Sequence, residues 1–426
     1  MILAVFLIVF FVLFILGMPV AFSMIISGMA YALMAGEPLS TFSLMSYSAT
    51  NSFILIAIPM FILTAEVMNV TSVADRMFDF ANSLVSWIPG GIGHTNVLTS
   101  VIFAGMSGSA AADVGGIGYL SYKSMKDRGF DGPFSAAVTA ASSCIGPIIP
   151  PSIPVIVYTT VISSASVIYL FLGGVVPGIL MALFMMTYII YISKKRGYPV
   201  EKRKSAKEIW KAFLRGLLPV LTPVLLLWSI SSGMVTVSEG AVITVVYATL
   251  LGTIVYRQFG LRKVGVVFKN TFLSCGSVLS FFVAGKFFSL VLSRARIPDF
   301  FSQLLLGVSD NRIVILLIIN LIFLVLGFFS EALVNITLFA PVFVPIAISV
   351  GVDPSVIGVM VVLNTTIGAI TPPVGTLVYN IAGITREPLE EVFREVIPFV
   401  AAYVLLILLC IFFPEIISFL PNLILK

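Results

Sequence analysis

Residues 142–152 read SSCIGPIIPPS, and the stretch GAITPPVG at residues 368–375 repeats the glycine and the paired prolines 222 positions after Gly146. Glycine and adjacent prolines interrupt helices, because proline lacks the amide donor and clashes with the preceding turn. A broken helix inside lipid leaves backbone groups unpaired, so such breaks persist only where they line a cavity or are buried in protein. The repeated pattern therefore predicts two broken helices that together form one site.

A second repeated feature precedes each break. Residues 105–109 read GMSGS, which is too small and polar to face lipid, and they correspond to a segment that begins at Gly327. A polar tip between two apolar arms predicts a re-entrant hairpin. At a rise of about 1.5 Å per residue across a hydrocarbon core of about 30 Å, each tip returns to the depth of the break that follows it. Each half of the chain is thus predicted to hold one hairpin and one broken helix.

Composition places the chain in a membrane. Of its 426 residues, 59% are hydrophobic and 10% are charged, whereas a soluble chain has about 25% charged residues. We therefore predict an all-α, multi-pass protein of the lipid bilayer. The net charge of +5 comes from clustered basic residues, which bear on membrane orientation and do not indicate nucleic-acid binding. The first basic residue is Arg76, so the apolar start is expected to remain as a membrane helix and not as a cleaved signal.

Charge also orients the two halves. The turn after the first hairpin carries Lys123, Lys126 and Arg128, whereas residues 346–353 contain no basic residue. Under the positive-inside rule, the first turn faces the cytoplasm and the second faces the opposite side. The two repeats are therefore predicted to be inverted.

A basic linker divides the halves. Lys194, Lys195 and Arg196 end one span, and further on Trp210 shares an apolar helical face with Phe213, which predicts a helix on the membrane surface. The predicted organisation is a first half at 1–192 with a hairpin at 84–122 and a broken helix at 133–158, a cytoplasmic linker at 193–216, and a second half at 217–426 with a hairpin at 311–348 and a broken helix at 354–380.

The breaks indicate what the site binds. A broken helix presents N–H groups at one new end and carbonyl groups at the other, and duplicated breaks of this kind mark the binding sites of secondary transporters. Carbonyl and hydroxyl oxygens suit Na⁺, and N–H ends suit a carboxylate; alternatively, each hydroxyl only bonds back to its own helix. The candidate sodium ligands are Gly105, Ser107, Ser109, Ser143, Gly146, Gly327, Asn335, Thr366, Gly368 and Thr371, and the candidate substrate contacts are Ser152, Pro150, Pro151, Pro372 and Pro373.

Few ionisable residues fall within the apolar spans. Asp113 and Glu331 lie closest to the presumed midplane, where each can bind a cation, accept a proton or hold a hairpin by hydrogen bonding. Glu66, near the end of the third span, is expected to be an interfacial anchor. Lys286 can meet a carboxylate or extend to the membrane surface, and we expect the second.

The sequence lacks the residues that zinc centres and catalytic sites require. The single histidine, His94, rules out a three-histidine zinc centre, and the three cysteines, Cys144, Cys275 and Cys410, are too far apart for a metal knuckle. A membrane-embedded enzyme would need catalytic groups, of which the sequence offers few. We therefore expect no catalysis, no transition metal and no cofactor, with Na⁺ as the coupling ion.

The motifs at residues 105–109, 142–154 and 368–375 resemble those of the large membrane subunit of tripartite ATP-independent periplasmic (TRAP) transporters. The resemblance covers essentially the whole chain. It implies a Na⁺-driven importer of organic acids in the bacterial inner membrane, with an elevator-like transport domain made of the hairpins and broken helices. Members take C4-dicarboxylates, sialic acids and other carboxylates, and these motifs do not choose among them. The family's Na⁺ positions fall around the matching hairpin tips and Gly-Pro-Pro residues.

The resemblance also implies two protein partners. These are a small four-helix membrane subunit and a soluble periplasmic substrate-binding protein. No segment of the small-subunit kind precedes Met1, so we expect that subunit to be a separate chain. The alternative is a stand-alone Na⁺/carboxylate symporter of the related ion transporter superfamily, with the same hairpins but no binding protein.

Overall fold

The computed structural model describes residues 2–71 and 73–425, and these residues form helices, turns and loops without a strand. The all-α prediction is therefore confirmed. The helices of the first half are α1 (Ile2–Ile15), α2 (Val20–Met34), α3 (Leu39–Thr50), α4 (Ala57–Asn69), α5 (Val73–Val85), α6 (Gly91–Ser107), α7 (Ala110–Asp113), α8 (Tyr119–Asp127), α9 (Gly132–Ser143), α10 (Ile153–Val161) and α11 (Val167–Arg196). Those of the second half are α12 (Ala206–Ser231), α13 (Val237–Leu250), α14 (Leu261–Arg294), α15 (Ile297–Val308), α16 (Arg312–Gly327), α17 (Ala332–Ser349), α18 (Pro354–Gly368), α19 (Thr376–Thr385), α20 (Leu389–Phe412) and α21 (Glu415–Ile424).

Six of the described helices are long and apolar enough to cross a membrane: α11, α12, α13 with its extension to Val255, α14, α17 and α20. The helices α3 and α4 form a seventh such span if they are taken together, and they meet at a bend of 59°. These lengths agree with a multi-pass membrane protein.

The helices pack as two bundles. In the first, here called the frame bundle, α1–α4 pack with α12–α14. In the second, here called the hairpin bundle, α6–α11 pack with α16–α21. The bundles contact each other mainly through α14 against α17 and through α6 against α4 and α12. Two short amphipathic helices connect them, since α5 packs on both α12 and α6, and α15 packs on both α14 and α17.

Local sequence explains where the broken helices begin. Each first arm starts just after an aspartate and has proline in its first turn, a position where the missing amide donor costs nothing. In the second, the Asp353 carboxylate accepts hydrogen bonds from the amides of Ser355 (2.7 Å) and Val356 (3.2 Å). The arms end at Ser143 and Gly368, and the chain resumes as helix at Ile153 and Thr376. The peptide bonds before Pro151 and Pro373 are both cis.

The predicted boundaries differ in places from the observed elements. The first arm of the first hairpin is Gly91–Ser107. The second arm runs over residues 110–127 and contains a π-helical turn at Val114–Gly118. The surface helix predicted within 193–216 is not separate, because residues 206–231 form one continuous helix. Its start is fixed by a capping box in which Ser205 and Glu208 bond each other's backbone amides.

Polar side chains join the first and second halves of the hairpin bundle at one of its ends. Glu387, between α19 and α20, accepts hydrogen bonds from Tyr122 and Lys126 of α8. Burial by itself raises the pKa of the Glu387 carboxyl, but the hydrogen bonds from Lys126 and Tyr122 outweigh it and lower that pKa. Arg196, at the end of α11, bridges Asp131 (3.0 Å) and Glu395 (2.6 Å). The bundle is therefore cross-linked between its first and second halves.

We expect Gly368→Ala to lower the melting temperature of the detergent-solubilised protein. A Cβ atom on Gly368 would lie 2.4 Å from the carbonyl carbon of Gly327. Because the atoms it would meet belong to the Gly327 backbone, no flexible side chain can move aside to relieve the clash. Overpacking of this kind costs about 1–3 kcal/mol. The control is Gly383→Ala in α19, where a Cβ has no neighbour within 4 Å. Equal melting temperatures for the two variants would contradict a tight contact at Gly368.

Candidate functional site

A cavity of about 180 Å³, here called the central cavity, lies where both hairpin tips and both breaks face the frame bundle. The first tip contributes Ser107–Ala112, and the second contributes Glu331–Leu333. Its walls also include Ile62, Ala65 and Glu66 of α4, Ser274 and Val278 of α14, Pro147, Ile153 and Pro154 at the first break, and Thr366, Ala369, Thr376, Leu377 and Asn380 at the second.

Four helices begin at this cavity. The first residues of α7, α10, α17 and α19 all line it. The first-turn N–H groups of a helix have no partner within that helix, and they carry partial positive charge. Ser109 and Ser152 supply a capping hydroxyl to α7 and α10, whereas α17 and α19 have no side-chain cap. No lysine or arginine of the described chain lines the cavity, so these N–H ends are its source of positive potential for an anion.

A buried carboxylate lies behind the first tip. Asp113 is fully buried, and the Ser107 hydroxyl donates a hydrogen bond to its Oδ1 atom. Its Oδ2 atom has no hydrogen-bond partner among the described residues. This oxygen faces the first break, since a Cβ atom on Gly146 would lie 2.5 Å from it. A buried carboxyl oxygen without a partner among the described residues, beside the carbonyl end of a helix, is suited to a hard cation.

The second tip has a neutral counterpart. Asn335 occupies the position equivalent to Asp113, and its Oδ1 atom accepts a hydrogen bond of 2.5 Å from the Ser330 hydroxyl. Its amide group donates to the Ser330 carbonyl at 3.0 Å. Gly327 and Gly368 meet backbone to backbone beneath this tip. The two tips therefore share a layout but differ in charge.

The predicted sodium ligands fall into three groups. Ser107, Ser109 and Thr366 line the central cavity. The hydroxyls of Ser143 and Thr371 each donate a hydrogen bond of 2.8 Å to a carbonyl of the preceding helical turn, and the Thr366 hydroxyl donates one of 2.6 Å. The lone pairs of these hydroxyl oxygens therefore stay free to coordinate a cation. The remaining candidates do not form one cluster. Gly146 lies beside Asp113, whereas Gly327 and Gly368 contact each other. Asn335 bonds Ser330, and Gly105 packs against Pro223 of α12. Their role as ligands stays a prediction.

The predicted substrate contacts lie around the breaks and not on the cavity wall. Pro150, Pro151 and Ser152 are buried, and the Ser152 hydroxyl bonds the Pro147 carbonyl within its own loop. Pro372 is half-buried and Pro373 is exposed. The backbone beside them contacts the first tip, because the Ile153 amide donates to the Gly108 carbonyl at 3.3 Å. Direct contact of these five residues with a substrate stays a prediction.

Sequence reasoning missed several residues of the cavity wall. Glu66, which we expected at the membrane surface, lines the central cavity and accepts a hydrogen bond of 3.1 Å from Asn270 of α14. An acid within an apolar span is itself a functional signal, and it could have identified Glu66. Thr376 and Asn380 follow the second break on one face of α19, and the helix start after Gly375 is the signal that could have found them.

Comparison with known proteins gives consistent results over nearly the whole chain. Residues 7–416 match the family described as "Tripartite ATP-independent periplasmic transporter, DctM component". The chain is 38% identical to the sialic acid TRAP transporter large permease protein SiaM of Vibrio cholerae, over 96% of this chain and 95% of that protein. It is 31% identical to the C4-dicarboxylate TRAP transporter large permease protein DctM of Rhodobacter capsulatus, over 96% of each chain.

Two further similarities concern a longer relative and a solved structure. The chain is 32% identical to the isethionate TRAP transporter permease protein DctMQ of Oleidesulfovibrio alaskensis, over 96% of this chain and 64% of that protein. The crystal structure of the Alcanivorax borkumensis YdaH transporter superposes with a TM-score of 0.60 at 13% identity, covering 86% of each chain. At that identity the likeness concerns the fold alone.

We expect Ser107→Ala to destabilise the protein, because the hydroxyl of Ser107 is the side-chain donor that satisfies the Asp113 carboxylate. Leaving a buried acceptor unsatisfied costs about 1–3 kcal/mol, more for a charged group. Thermal unfolding in detergent measures the loss, with Ser280→Ala as the control, since the Ser280 hydroxyl bonds only its own helix. In a double-mutant cycle with Asp113→Asn, the effects should be non-additive. Strict additivity would contradict the pairing.

Proposed function

The chain belongs to the DctM family of tripartite ATP-independent periplasmic (TRAP) transporters, and we propose that it moves organic acids inward with a Na⁺ gradient. It is a large permease subunit and a multi-pass protein of the inner membrane. The observation that carries the proposal is the central cavity, where four helix N-termini meet, together with the incompletely paired Asp113 carboxyl group that is buried behind the first tip. We propose an organic acid of the sialic acid or C4-dicarboxylate type as the substrate.

The helix N-termini support binding of the acid's carboxylate. In a cavity without a basic side chain among its described lining, the N–H groups of α17 and α19 have no side-chain cap to compete with a ligand. Glu66 and Glu331 line the same cavity and repel an anion. A bound cation therefore favours anion binding, and by linkage the anion favours cation binding to the same extent.

Asp113 supports a Na⁺ site behind the first tip. Its free Oδ2 atom, the Ser107 hydroxyl oxygen and the carbonyl end of α9 supply oxygen ligands of the kind that hard cations take. A cation at this position would join the hairpin tip to the break. The site would thus be complete for the substrate only when Na⁺ is bound, which is the requirement for coupling the two fluxes.

The two-bundle architecture supports transport by relative movement. The hairpin bundle carries both tips and both breaks, and the frame bundle closes the central cavity with α4 and α14. We propose that the hairpin bundle moves across the membrane against the frame bundle in an elevator-like manner, with α5 and α15 as the connecting helices. The proposed partners are a small membrane subunit and a periplasmic binding protein. The greater length of the relative DctMQ supports the first of these.

We expect uptake of labelled sialic acid or succinate into proteoliposomes to require an inward Na⁺ gradient, a small membrane subunit and a loaded binding protein. Each component is omitted in turn, and the Na⁺ gradient is replaced by K⁺ as the ionic control. The acid that accumulates identifies the substrate. Uptake by this chain alone would contradict the need for partners, and uptake that persists in K⁺ would contradict Na⁺ coupling.

We expect Gly146→Ala to raise the Na⁺ concentration for half-maximal uptake by about tenfold or more, the ratio that 1.4 kcal/mol gives. The added methyl group would lie 2.5 Å from the Oδ2 atom of Asp113 and would occupy the space where a cation binds. Gly115→Ala, where a Cβ has no neighbour within 4 Å, is the matched control. Wild-type Na⁺ dependence in Gly146→Ala would place the cation elsewhere.

A further inference from the structure

A second cavity, here called the outer cavity, encloses about 370 Å³ between α10 and α17 of the hairpin bundle and α3 and α14 of the frame bundle. It is displaced along shared helices from the central cavity. On α14, Val278 lines the central cavity and Lys286 lines the outer cavity, a separation of about 12 Å along the helix axis. Because α14 begins beside Arg262 and Lys263 on the cytoplasmic side, the outer cavity lies towards the periplasm.

The lining of the outer cavity is cationic and rich in hydroxyl groups. Lys286 is its one charged side chain among the described lining residues, and no carboxylate of those residues lies beside it. Within the described chain, Lys286 forms neither an ion pair nor a hydrogen bond. The hydroxyls of Ser52, Ser163 and Ser289 line the same cavity and bond no described residue. The outer cavity thus holds one ammonium group and three hydroxyl donors that have no partner among the described residues.

From sequence we expected Lys286 to extend to the membrane surface; in the structure Lys286 is exposed and lines the outer cavity. The outer end of α14 is marked by Arg294, which pairs with Glu37 at 2.6 Å. Lys286 lies eight residues before it, or about 12 Å deeper along the axis. An unpaired ammonium group at such a depth faces water or a counter-anion, because lipid would not tolerate it. Its place on a cavity wall fits that requirement.

We propose that the outer cavity is the entry site for the organic acid, in which the Lys286 ammonium group binds the substrate carboxylate before it reaches the central cavity. The inference rests on the proposed function, since it takes the substrate to be an organic acid arriving from the periplasm. An isolated positive charge in a cleft with low-dielectric walls concentrates anions and raises their rate of entry. The central cavity supplies no basic side chain from its described lining, so Lys286 performs the first recognition of charge.

The site is built from both bundles, which gives it a means of release. Lys286 and Ser289 belong to the frame bundle, whereas Ser163 and Thr337 belong to the hairpin bundle. The bundles touch at the wall of this cavity, where a Cβ atom on Gly285 would lie 1.9 Å from the Cγ2 atom of Thr337. Movement of the hairpin bundle would separate the Ser163 hydroxyl from Lys286 and Ser289 and so dismantle the site. The anion would then be held by the hairpin bundle alone.

The test is Lys286→Gln, compared with Lys286→Arg and with Lys269→Gln. Lys269 is an exposed lysine nearer the cytoplasmic end of α14, and it lines neither cavity. Each variant is reconstituted with both partners, and uptake is measured with whichever labelled acid, sialic acid or succinate, the wild type accumulates. The melting temperature of each variant is measured to confirm folding.

We expect Lys286→Gln to raise the KM for uptake from the periplasmic side by about tenfold or more, with Vmax within about twofold of the wild type. Raising the salt concentration should increase the wild-type KM and leave that of Lys286→Gln nearly constant. Lys286→Arg should restore most of the affinity, Lys269→Gln should behave as wild type, and the KM for exchange from the cytoplasmic face should not change.

Two results would overturn the inference. A wild-type KM in Lys286→Gln would remove Lys286 from the entry site, and an equal rise in KM at both faces would indicate a purely structural effect. Both results can be obtained only where the wild type transports an organic acid. Absence of transport by the wild type with both partners would instead contradict the proposed function, so the two failures are distinguishable.

Discussion

The need to pair backbone groups inside a membrane determines the arrangement of this protein. Interrupting α9 and α18 frees N–H and carbonyl groups that lipid cannot satisfy. Within the hairpin bundle, groups of one break pair with groups of the other. The Cys144 thiol at the first break donates a hydrogen bond of 3.5 Å to the Thr366 carbonyl at the second. Tips and breaks therefore face inwards together, and the polar helix ends that must avoid lipid come to line a shared cavity.

The same constraint explains why the two halves are not chemically equivalent. Both halves need a compact tip that closes over a break, and Asp113 and Asn335 fill corresponding positions in those tips. The side-chain amide of Asn335 forms two hydrogen bonds with Ser330, so it stabilises the second tip without a ligand. Asp113 has one oxygen without a partner in the described chain. The two tips thus share a layout, whereas only Asp113 keeps a carboxyl oxygen without a partner among the described residues.

Much of the fold follows from local sequence, whereas parts of the site do not. Helix starts at Gly132 and Pro354 are encoded by an aspartate and a first-turn proline, and the breaks are encoded by Gly-Pro-Pro patterns. These are short-range effects that one sequence can reveal. The environment of Glu66 depends on Asn270, 204 positions away, and that of Lys286 depends on helices from both bundles. Such long-range packing leaves no local pattern, which is why both residues were expected at the membrane surface.

The proposed coupling of two binding events requires that the two half-sites stay aligned during the proposed movement of the hairpin bundle. Glu387 bonds Tyr122 and Lys126, and Arg196 bridges Asp131 and Glu395, so polar cross-links join the first and second halves at one end of the hairpin bundle. Between the bundles, by contrast, α14 meets α17 through Gly285 and a threonine methyl group. A van der Waals contact without a described ion pair can be broken and remade at little cost, whereas a cross-linked bundle keeps its shape. The distribution of polar contacts therefore favours movement between the bundles over deformation within one.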